Sequence, residues 1–368
     1  MKICFVSTGD IKDIATSKRA LGLANPLIQL GWEVHILMED AAENKLRVGF
    51  ECSPEVQIHY FNKSGVLDEI RAKNRLIKQI HPDYVYICAF VFRNIVGIGK
   101  SHQKLVEHSE LQSAIPTIKG LKKILTCSLE YFSIFYADGL LCASRYLEKV
   151  YTRRSKLVCK KTPVLYFPYA FSENLCKPRS IADLPENFSR LTDKKNFVFL
   201  GSIAANYGIF TMLEAFKLLS ANQNDIRLIL LGKGRHYNEA VEFVKDHKLE
   251  DSVLLPGFVA EEDIANYFSI ATAFLSPMND TVQDWARCPS KLYMYLPFQK
   301  PIITCKIGEP FEVLGDNGYY YEPGKATLLA EKVMAVFESK TNSVLEFEKH
   351  TWFERTNEFD KWIKNNFK

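Results

Sequence analysis

The sequence predicts an α/β protein of two Rossmann-like domains, each with a parallel sheet, that face each other across an interdomain cleft. Its 368 residues correspond to two or three domains at roughly 150 residues each. Both halves open on an apolar segment rich in β-branched and aromatic residues, followed by a loop and an amphipathic helix. This repeated pattern is typical of parallel sheets, because a helix provides the crossover between neighbouring parallel strands.

The first domain is predicted to span residues 1–170. A strand at 3–7 precedes the loop Thr8–Ser17, a helix at 18–30 that ends at Gly31, and a strand at 33–37. Further strands are predicted at 56–61, 84–88, 104–107 and 139–143, and further helices at 67–80 and 118–136.

The second domain is predicted to span residues 171–349. It begins with a polar, proline-bearing linker at 172–195, followed by a strand at 196–201 and a helix at 209–219. Further strands are predicted at 227–231, 253–256, 273–276 and 301–304. No strand follows the amphipathic C-terminal helix at 350–368, so we predict that it packs back onto the first domain.

The composition is that of an ordinary soluble globular protein, with 47 % hydrophobic and 24 % charged residues. No apolar run approaches the ~18 residues of a membrane span. The sequence opens directly on a strand rather than on a signal peptide, so we expect a cytoplasmic protein. The nine cysteines include no C-x-x-C pair, which favours reduced thiols over disulfides or a zinc site.

Positive charge is concentrated in the first half. Residues 1–170 contain 24 Lys and Arg against 16 Asp and Glu, whereas the remainder contains 23 against 27. The basic residues cluster in three places: Arg71, Lys73, Arg75 and Lys78; Lys119, Lys122 and Lys123; and Arg153, Arg154 and Lys156. One interpretation is peripheral contact with an anionic membrane at its inner face, or with a phosphorylated acceptor; the other is a solvated surface. Nucleic-acid binding is disfavoured, because no arginine–aromatic interleaving accompanies the charge.

An ordered series of motifs in the second half resembles the retaining GT-B glycosyltransferases of family 4, the glycosyl transferases group 1 type. The series comprises Phe199-Leu200-Gly201-Ser202, Leu230-Leu231-Gly232-Lys233-Gly234, Val253-Leu254-Leu255-Pro256-Gly257-Phe258, Pro289-Ser290-Lys291-Leu292-Tyr293 and Gly308-x-Pro310-x-Glu312. The resemblance implies the GT-B fold and transfer of a hexose from a nucleotide diphosphate sugar to a glycan or lipid-linked acceptor. It also implies retention of configuration, and we expect no metal and no other cofactor, because the sequence contains no metal-ligand cluster. Cell-envelope polysaccharide synthesis is the biological setting that this predicts.

The sequence departs from the family pattern in three places. The family usually has an arginine and a lysine in the loop after the first strand of this domain, and Ser202 and Tyr207 occupy the nearest positions here. Both are therefore candidate donor contacts. The two glutamates that the family commonly carries fall at Ala286 and Met294, and a usual glycine is replaced by Gln299.

The chemistry of glycosyl transfer singles out the helix start at Pro289-Ser290. The departing diphosphate carries charge that must be stabilised away from water, and a helix N-terminus provides free N–H groups and a positive dipole end. We place Pro289 in the first turn, Ser290 as a candidate cap and Lys291 as a full charge that stabilises the leaving group. The loop helix after Gly201 and Ser202 is a second candidate. The alternative for Lys291 is a surface lysine.

Five further residues are candidate donor contacts. Arg287 precedes the Lys291 helix, and Lys233 lies in a Gly-Lys-Gly turn at the end of a strand. By resemblance, Phe258 and Val259 face the nucleobase. Glu312 either bonds a sugar hydroxyl or only begins a helix.

Four residues at the carboxyl edge of the first sheet are candidate acceptor contacts or catalytic groups. By resemblance, His108 touches the transferred sugar or the acceptor; a structural histidine is the alternative. Glu110 follows the same strand, and Gly9 and Asp10 follow the first strand, where an acceptor would bind.

Two other functions remain open at this stage. Without the basic pair and the glutamates, the chain is also interpretable as a non-catalytic GT-B subunit that binds a partner transferase or a glycan. A GT-B epimerase is the third interpretation, but no second carboxylate suited to acid–base chemistry is identified.

Overall fold

The computed structural model describes residues 1–11, 17–62, 65–339 and 345–367. The chain divides into two compact units. The first unit contains Met1–Ala170, Ala286–Cys288 and His350–Lys368, and the second contains Phe171–Trp285 and Pro289–Lys349. Each unit has one parallel sheet with helical crossovers, which confirms the prediction of two Rossmann-like α/β domains.

The sheet of the first unit has seven parallel strands. They are β1 (Lys2–Val6), β2 (Glu33–Glu39), β3 (Gln57–Phe61), β4 (Tyr84–Ile87), β5 (Gln103–His108), β6 (Gly139–Cys142) and β7 (Val164–Tyr166). The helices of residues 1–170 are α1 (Lys18–Gln29), α2 (Ala42–Glu51), α3 (Val66–Ile80), α4 (Phe92–Ile95), α5 (Gly120–Tyr136) and α6 (Arg145–Leu157). Ile3 to Val6 are fully buried, as expected of a strand with helices on both faces of its sheet.

The sheet of the second unit has six parallel strands. They are β8 (Lys195–Leu200), β9 (Ile226–Leu231), β10 (Val253–Gly257), β11 (Ala271–Ser276), β12 (Ile302–Thr304) and β13 (Tyr319–Tyr320). The helices after residue 170 are α7 (Glu186–Ser189), α8 (Ile209–Ser220), α9 (Tyr237–Asp246), α10 (Glu261–Ser269), α11 (Val282–Ala286), α12 (Ser290–Tyr295), α13 (Gly308–Leu314), α14 (Ala326–Glu338) and α15 (Trp352–Asn366).

The strand order places a switch point in each sheet. The first sheet runs β3-β2-β1-β4-β5-β6-β7 and the second runs β10-β9-β8-β11-β12-β13. Successive crossovers therefore go to opposite sides of β1 and of β8. Ligands of such sheets bind beyond the carboxyl ends of the strands at which the crossover direction reverses. A binding site is therefore expected at the carboxyl ends of β1 and β8.

Helix α15 packs against α1 in the first unit. Gly22 of α1 lies directly under Trp352, since a methyl group at position 22 would be 2.2 Å from the indole ring. Trp32 donates a hydrogen bond from Nε1 to Asp360 at 2.9 Å, and Phe359 is fully buried. Burying a phenylalanine of this kind contributes about 2 kcal/mol.

The predicted linker at 172–195 is partly folded onto the second unit. It contains helix α7, whose Phe188 packs edge-to-face on Tyr267 at 4.9 Å. Arg179 donates from Nη1 to Asn266 Oδ1 at 2.8 Å and from its backbone to Ser269 at 3.0 Å. These long-range contacts fold the stretch onto α10, although its composition resembles that of a loop.

None of the nine cysteines, all of which lie in the described part of the chain, is in a disulfide, and six of them are buried. Burial raises the pKa of Cys52 and of Cys176 to about 12. Such thiols are protonated at neutral pH and are poor nucleophiles.

Candidate functional site

The loops after β8 and β9 pack backbone against backbone at the carboxyl edge of the second sheet. Gly201 and Gly232 end these strands with φ angles of 151° and 130°. A methyl group on Gly232 would lie 2.1 Å from the carbonyl oxygen of Gly201, and one on Gly234 would lie 2.6 Å from Oγ of the exposed Ser202. The glycines therefore let two loops meet as one continuous backbone surface.

Lys291 places its ammonium group beside this surface. A methyl group on Gly201 would lie 3.4 Å from Lys291 Nζ. The same Nζ is 3.7 Å from the centre of the Phe199 ring and 5.8 Å from that of Tyr207. Lys291 is only 9 % exposed, so its positive charge acts in a medium of low dielectric constant, where electrostatic interactions are strong.

Tyr295 positions α12 so that Lys291 reaches β8. The two residues are four apart and therefore lie on the same face of the helix. The Tyr295 hydroxyl accepts a hydrogen bond from Leu200 N–H at 2.9 Å and donates to the Leu275 carbonyl at 3.4 Å. Its ring stacks on Phe274 at 4.2 Å. The hydroxyl thus bridges β8 and β11 at the switch point of the sheet.

The predicted serine cap of α12 is wrong. Pro289 holds the N-cap position, and Ser290 is the first helical residue. Because α12 has only six residues, its dipole is small, and Lys291 provides most of the positive charge. Arg287 lies in the segment Ala286–Cys288, which belongs to the first unit.

The loop after β8 is held by contacts within the second unit. Gly208 caps α8 with a φ of 72°, and a methyl group there would lie 2.5 Å from Pro277 Cβ. Asn279 donates from Nδ2 to the Asn206 carbonyl at 3.0 Å. These contacts hold the adjacent Tyr207 near Lys291.

Lys233 and the residues after β10 lie at the other end of the carboxyl edge of the second sheet. The stem of Lys233 would lie 3.0 Å from a methyl group on Gly257, and its Nζ is 5.8 Å from the Tyr237 ring. Phe258 follows β10 directly and is exposed, whereas Val259 is half-buried. An exposed aromatic ring at the end of a strand is suited to stacking on a planar ligand.

The buried carboxylate near α12 is Glu309, which the sequence analysis did not select. Tyr293 donates to Glu309 Oε1 at 2.7 Å, and both residues are fully buried. Glu312, which the analysis did select, is exposed. Gly308, which has a φ of 54°, begins α13. A methyl group in its place would lie 3.0 Å from backbone carbonyl oxygens of α11.

A second buried carboxylate, Asp284, lies close to the position where the family pattern has a glutamate. Asn279 N–H donates to Asp284 Oδ2 at 2.6 Å, and Asp284 N–H donates to Thr281 Oγ1 at 3.2 Å. Ala286 is fully buried and Met294 is half-buried. Across the described ranges, no group of three or more His, Cys, Asp and Glu residues is arranged to hold a metal ion.

His108 ends β5 in the first unit with both ring nitrogens engaged. Ser133 donates its hydroxyl hydrogen to the Glu130 carbonyl at 2.7 Å, so its oxygen accepts from His108 Nε2–H at 2.9 Å. His108 Nδ1 then accepts from the Tyr151 hydroxyl at 2.9 Å, and the rings stack at 4.0 Å. Burial, with a smaller effect of Arg154, lowers the pKa of His108 to about 3. This neutral imidazole is suited to holding β5, α5 and α6 together.

His108 makes the stability of the protein dependent on pH. The unfolded chain binds a proton below about pH 6.5 that the folded protein does not, so stability is full above that pH and falls as pH decreases toward 3. We expect a loss of about 2 kcal/mol at pH 5 relative to pH 7.5 from this residue. Denaturant unfolding at the two pH values measures it. His108→Gln should remove that loss, and an equal loss in the variant would contradict the assignment.

The other three first-unit candidates lie on two loops. Gly9 has a φ of 82°, and its carbonyl accepts from Asn44 Nδ2 at 3.3 Å. Asn44 is fully buried and also accepts from Ile11 N–H at 2.9 Å, so it braces the turn that contains the half-buried Asp10. Glu110 is half-buried after β5. Residues 12–16 of the predicted loop lie outside the described residues.

A fully buried arginine crosses the same edge of the first sheet. Arg19 Nε lies 3.0 Å from Glu107 Oε1, and Arg19 Nη1 donates to the carbonyls of Phe167 and Pro168 at 2.5 and 2.8 Å. Tyr86 donates to Glu107 Oε2 at 2.9 Å. Burial opposes the charge, but Glu107 raises the pKa of Arg19 above its ordinary value. Removing one partner of such a pair typically costs about 3–5 kcal/mol, because the other charge stays buried.

The fold of the two units is that of a known structural class. Two Rossmann-like units with parallel sheets correspond to the GT-B fold, as predicted. Residues 181–351 match the model of a family described as "Glycosyl transferases group 1". The matched segment includes every strand of the second sheet and Lys291.

Two curated relatives share part of the sequence. The chain is 23 % identical over 243 residues to Alpha-monoglucosyldiacylglycerol synthase of Streptococcus pneumoniae, covering 62 % of this chain and 54 % of that protein. It is 23 % identical over 150 residues to 2-deoxystreptamine N-acetyl-D-glucosaminyltransferase of Niallia circulans, covering 40 % and 37 %. The chain thus spans about half the length, or less, of these relatives.

Solved structures resemble the whole chain. A glycosyltransferase from Rickettsia africae superimposes with a TM-score of 0.71 at 15 % identity, over 99 % of this chain and 98 % of that one. Anabaena HepE in complex with UDP and glucose gives 0.70 at 15 % identity, over 99 % and 95 %. Sucrose-phosphate synthase from Thermosynechococcus elongatus gives 0.72 at 16 % identity, over 99 % and 97 %. At such identities the likeness establishes the fold.

Proposed function

We propose that the protein is a glycosyltransferase that takes a hexose from a nucleotide diphosphate sugar. The observation that carries the proposal is the Lys291 ammonium group beside Gly201, at the carboxyl end of β8. This position lies within the segment that matches the glycosyl transferases group 1 family, and it is the switch point of the second sheet. The second unit is therefore the proposed donor domain, and the first unit is the proposed acceptor domain.

The donor diphosphate would bind against the backbone surface of Gly201 and Gly232. These positions have no side chain, so phosphate oxygens can approach the two loops closely, while the Gly201 and Gly232 N–H groups themselves donate to the carbonyls of Leu231 and Gly257. Lys291 would neutralise charge that develops on the diphosphate as its bond to the anomeric carbon breaks. Phe258, exposed beyond β10, is the proposed contact for the nucleobase, and Tyr207 and Lys233 are further proposed donor contacts.

Retention is the proposed stereochemical course. The acceptor hydroxyl would attack from the face that the diphosphate leaves, and a phosphate oxygen would accept the hydroxyl proton. No protein carboxylate is needed for that transfer, which agrees with apolar residues at Ala286 and Met294. The proposed acceptors are a glycan or a lipid-linked molecule. The diacylglycerol in the name of one relative supports the lipid class.

Donor binding is expected to stabilise the protein against unfolding. At a concentration of about 100 times its dissociation constant, a ligand that binds only the folded state adds about 2.7 kcal/mol. UDP-glucose and UDP-N-acetylglucosamine are tested first, with GDP and its sugars beside them, in thermal unfolding and then in calorimetry. If a folded sample binds none of these nucleotides, the donor site does not exist and the proposal fails.

A non-catalytic GT-B subunit is the second candidate function. It is favoured by the two apolar residues at the carboxylate positions, Ala286 and Met294, of which Ala286 is fully buried. Such a subunit would bind a partner transferase or a glycan without turnover. Product analysis after incubation with donor and an acceptor panel separates the two: nucleotide release coupled to a new glycoside supports the enzyme.

A further inference from the structure

Helix α5 presents an apolar face to solvent. Six of its large apolar side chains recur at spacings of three and four residues and lie on one face: Leu121, Ile124, Leu125, Leu129, Phe132 and Phe135. Each is between 48 and 71 % exposed. A surface helix of a globular protein normally turns such a stripe toward the core.

The opposite face of α5 is buried and carries Glu130, Ser133 and Ile134. Glu130 accepts from Ser113 N–H at 2.8 Å and from Ser113 Oγ at 2.9 Å, and it pairs with Arg154 at 2.9 Å. Ser133 bonds to His108 at 2.9 Å. Turning the helix to bury its leucines would break all of these contacts and separate Glu130 from the half-buried Arg154. The outward orientation of the apolar stripe is therefore a stable property of the unit.

The apolar surface continues beyond α5. Phe90, three residues after β4, packs on Phe132 at 6.2 Å and on Tyr136 at 5.6 Å between ring centres. The next two residues, Val91 and Phe92, are also exposed. A shallow groove of about 710 Å³ runs along the helix, lined mainly by apolar atoms of α5. Contiguous apolar surface of this kind marks an interaction site.

The charges around the apolar stripe of α5 indicate what kind of partner it binds. Lys119, Lys122 and Lys123 are all exposed at the N-terminal end of α5. The only acidic residue of the helix, Glu130, is buried and paired. Lysine is depleted in the cores of protein–protein interfaces but favours the headgroup level of anionic bilayers. We infer that α5 is a docking helix that lies in the interface of an anionic lipid bilayer, its apolar stripe among the acyl chains and its lysines at the headgroups.

The geometry of α5 suits a helix that lies in the plane of the membrane. Its 17 residues are about 25 Å long at 1.5 Å per residue, and one side remains packed on the protein. Among the described residues, no helix is long and apolar enough to cross a bilayer. Docking through α5 goes beyond sugar transfer and requires no nucleotide, so it stands or falls separately from the proposed function.

Vesicle sedimentation of the full-length protein, without any nucleotide sugar, tests this inference. We expect binding to vesicles that contain phosphatidylglycerol and much weaker binding to phosphatidylcholine alone. Leu129→Glu should lower binding about tenfold or more, because it removes one apolar anchor and adds a repelled charge. Replacing Lys119, Lys122 and Lys123 together by Gln should lower binding to the anionic vesicles on the order of 100-fold.

The matched control is Leu218→Glu, on α8 of the second unit. Leu218 is 48 % exposed and Leu129 is 49 % exposed, so both substitutions place a carboxylate at a comparable position on a helix surface. The Leu218→Glu control should bind vesicles as the wild type does. In a separate measurement, the tryptophan fluorescence of Phe132→Trp should shift to shorter wavelength when vesicles are added. Equal binding of both glutamate variants, or no binding by the wild type, would overturn the inference. A wild-type dimer that Leu129→Glu dissociates, without vesicle binding, would assign the stripe to a second copy instead.

Discussion

Replacing Lys291 by methionine is expected to lower kcat/KM for the sugar donor by about 100- to 1,000-fold. Methionine retains a flexible stem against Phe199 but removes the ammonium group beside Gly201. A charge that stabilises a leaving group in a buried site contributes more than it would in water, because the surrounding dielectric constant is low. Steady-state kinetics with varied donor, together with the donor dissociation constant from calorimetry, separates loss of binding from loss of turnover.

Lys245→Met is the control for this experiment. Lys245 is exposed in the last turn of α9, in the same unit, and its replacement should leave kcat/KM unchanged. The Lys291 variant should also unfold with a cooperative transition like that of the wild type. If it transfers sugar at the wild-type rate, the resemblance extends to the fold and not to the mechanism.

Gly232→Ala is expected to destabilise the second unit by at least about 3 kcal/mol and to abolish donor binding. The new methyl group would lie 2.1 Å from the carbonyl oxygen of Gly201, and φ at this position is 130°. Neither the clash nor the backbone strain is relieved unless the loops after β8 and β9 move apart. That movement would disrupt the proposed phosphate surface. Denaturant unfolding and nucleotide calorimetry measure the two effects.

Gly324→Ala separates the clash from the strain. Gly324 has a φ of 73°, and a methyl group there would meet no atom within 4 Å. Its replacement should cost only the conformational penalty of about 1–2 kcal/mol and leave donor binding intact. Equal destabilisation by the two substitutions would mean that the contact between Gly232 and Gly201 does not matter.

Most strands and helices follow from local sequence patterns. The strand predicted at 196–201 is observed at Lys195–Leu200, and the helix predicted at 67–80 is observed at Val66–Ile80. Parallel strands covered on both faces consist of continuous apolar runs, and that signal is present in the sequence alone. The short β13 and the helix α7 were not predicted, because neither has enough residues to show a period.

The candidate site was only partly predictable. Lys291 and the Gly201 turn were recognised because their motifs are contiguous in the sequence. Tyr295 and Glu309 were not selected, because their hydrogen-bond partners Leu200 and Tyr293 are 95 and 16 residues away in the sequence. No local sequence pattern indicates such a pairing. His108 was selected by its position after a strand, but its observed partners, on α5 and α6, are those of a buried structural imidazole.

The sequence alone predicted the two-domain α/β architecture, because the alternation of strand and helix patterns is local. It also contains the motif order of the second unit, because each motif is a contiguous segment. Only the tertiary structure decided which face of α5 is buried. The spacing of Leu121, Leu125 and Leu129 is that of a core-facing stripe, yet these side chains face solvent. The reason is that Glu130, on the opposite face of α5, is held by Ser113 and Arg154, and these contacts fix the orientation of the helix. The interactions that impose this orientation come from residues distant in sequence, so no local pattern reveals it.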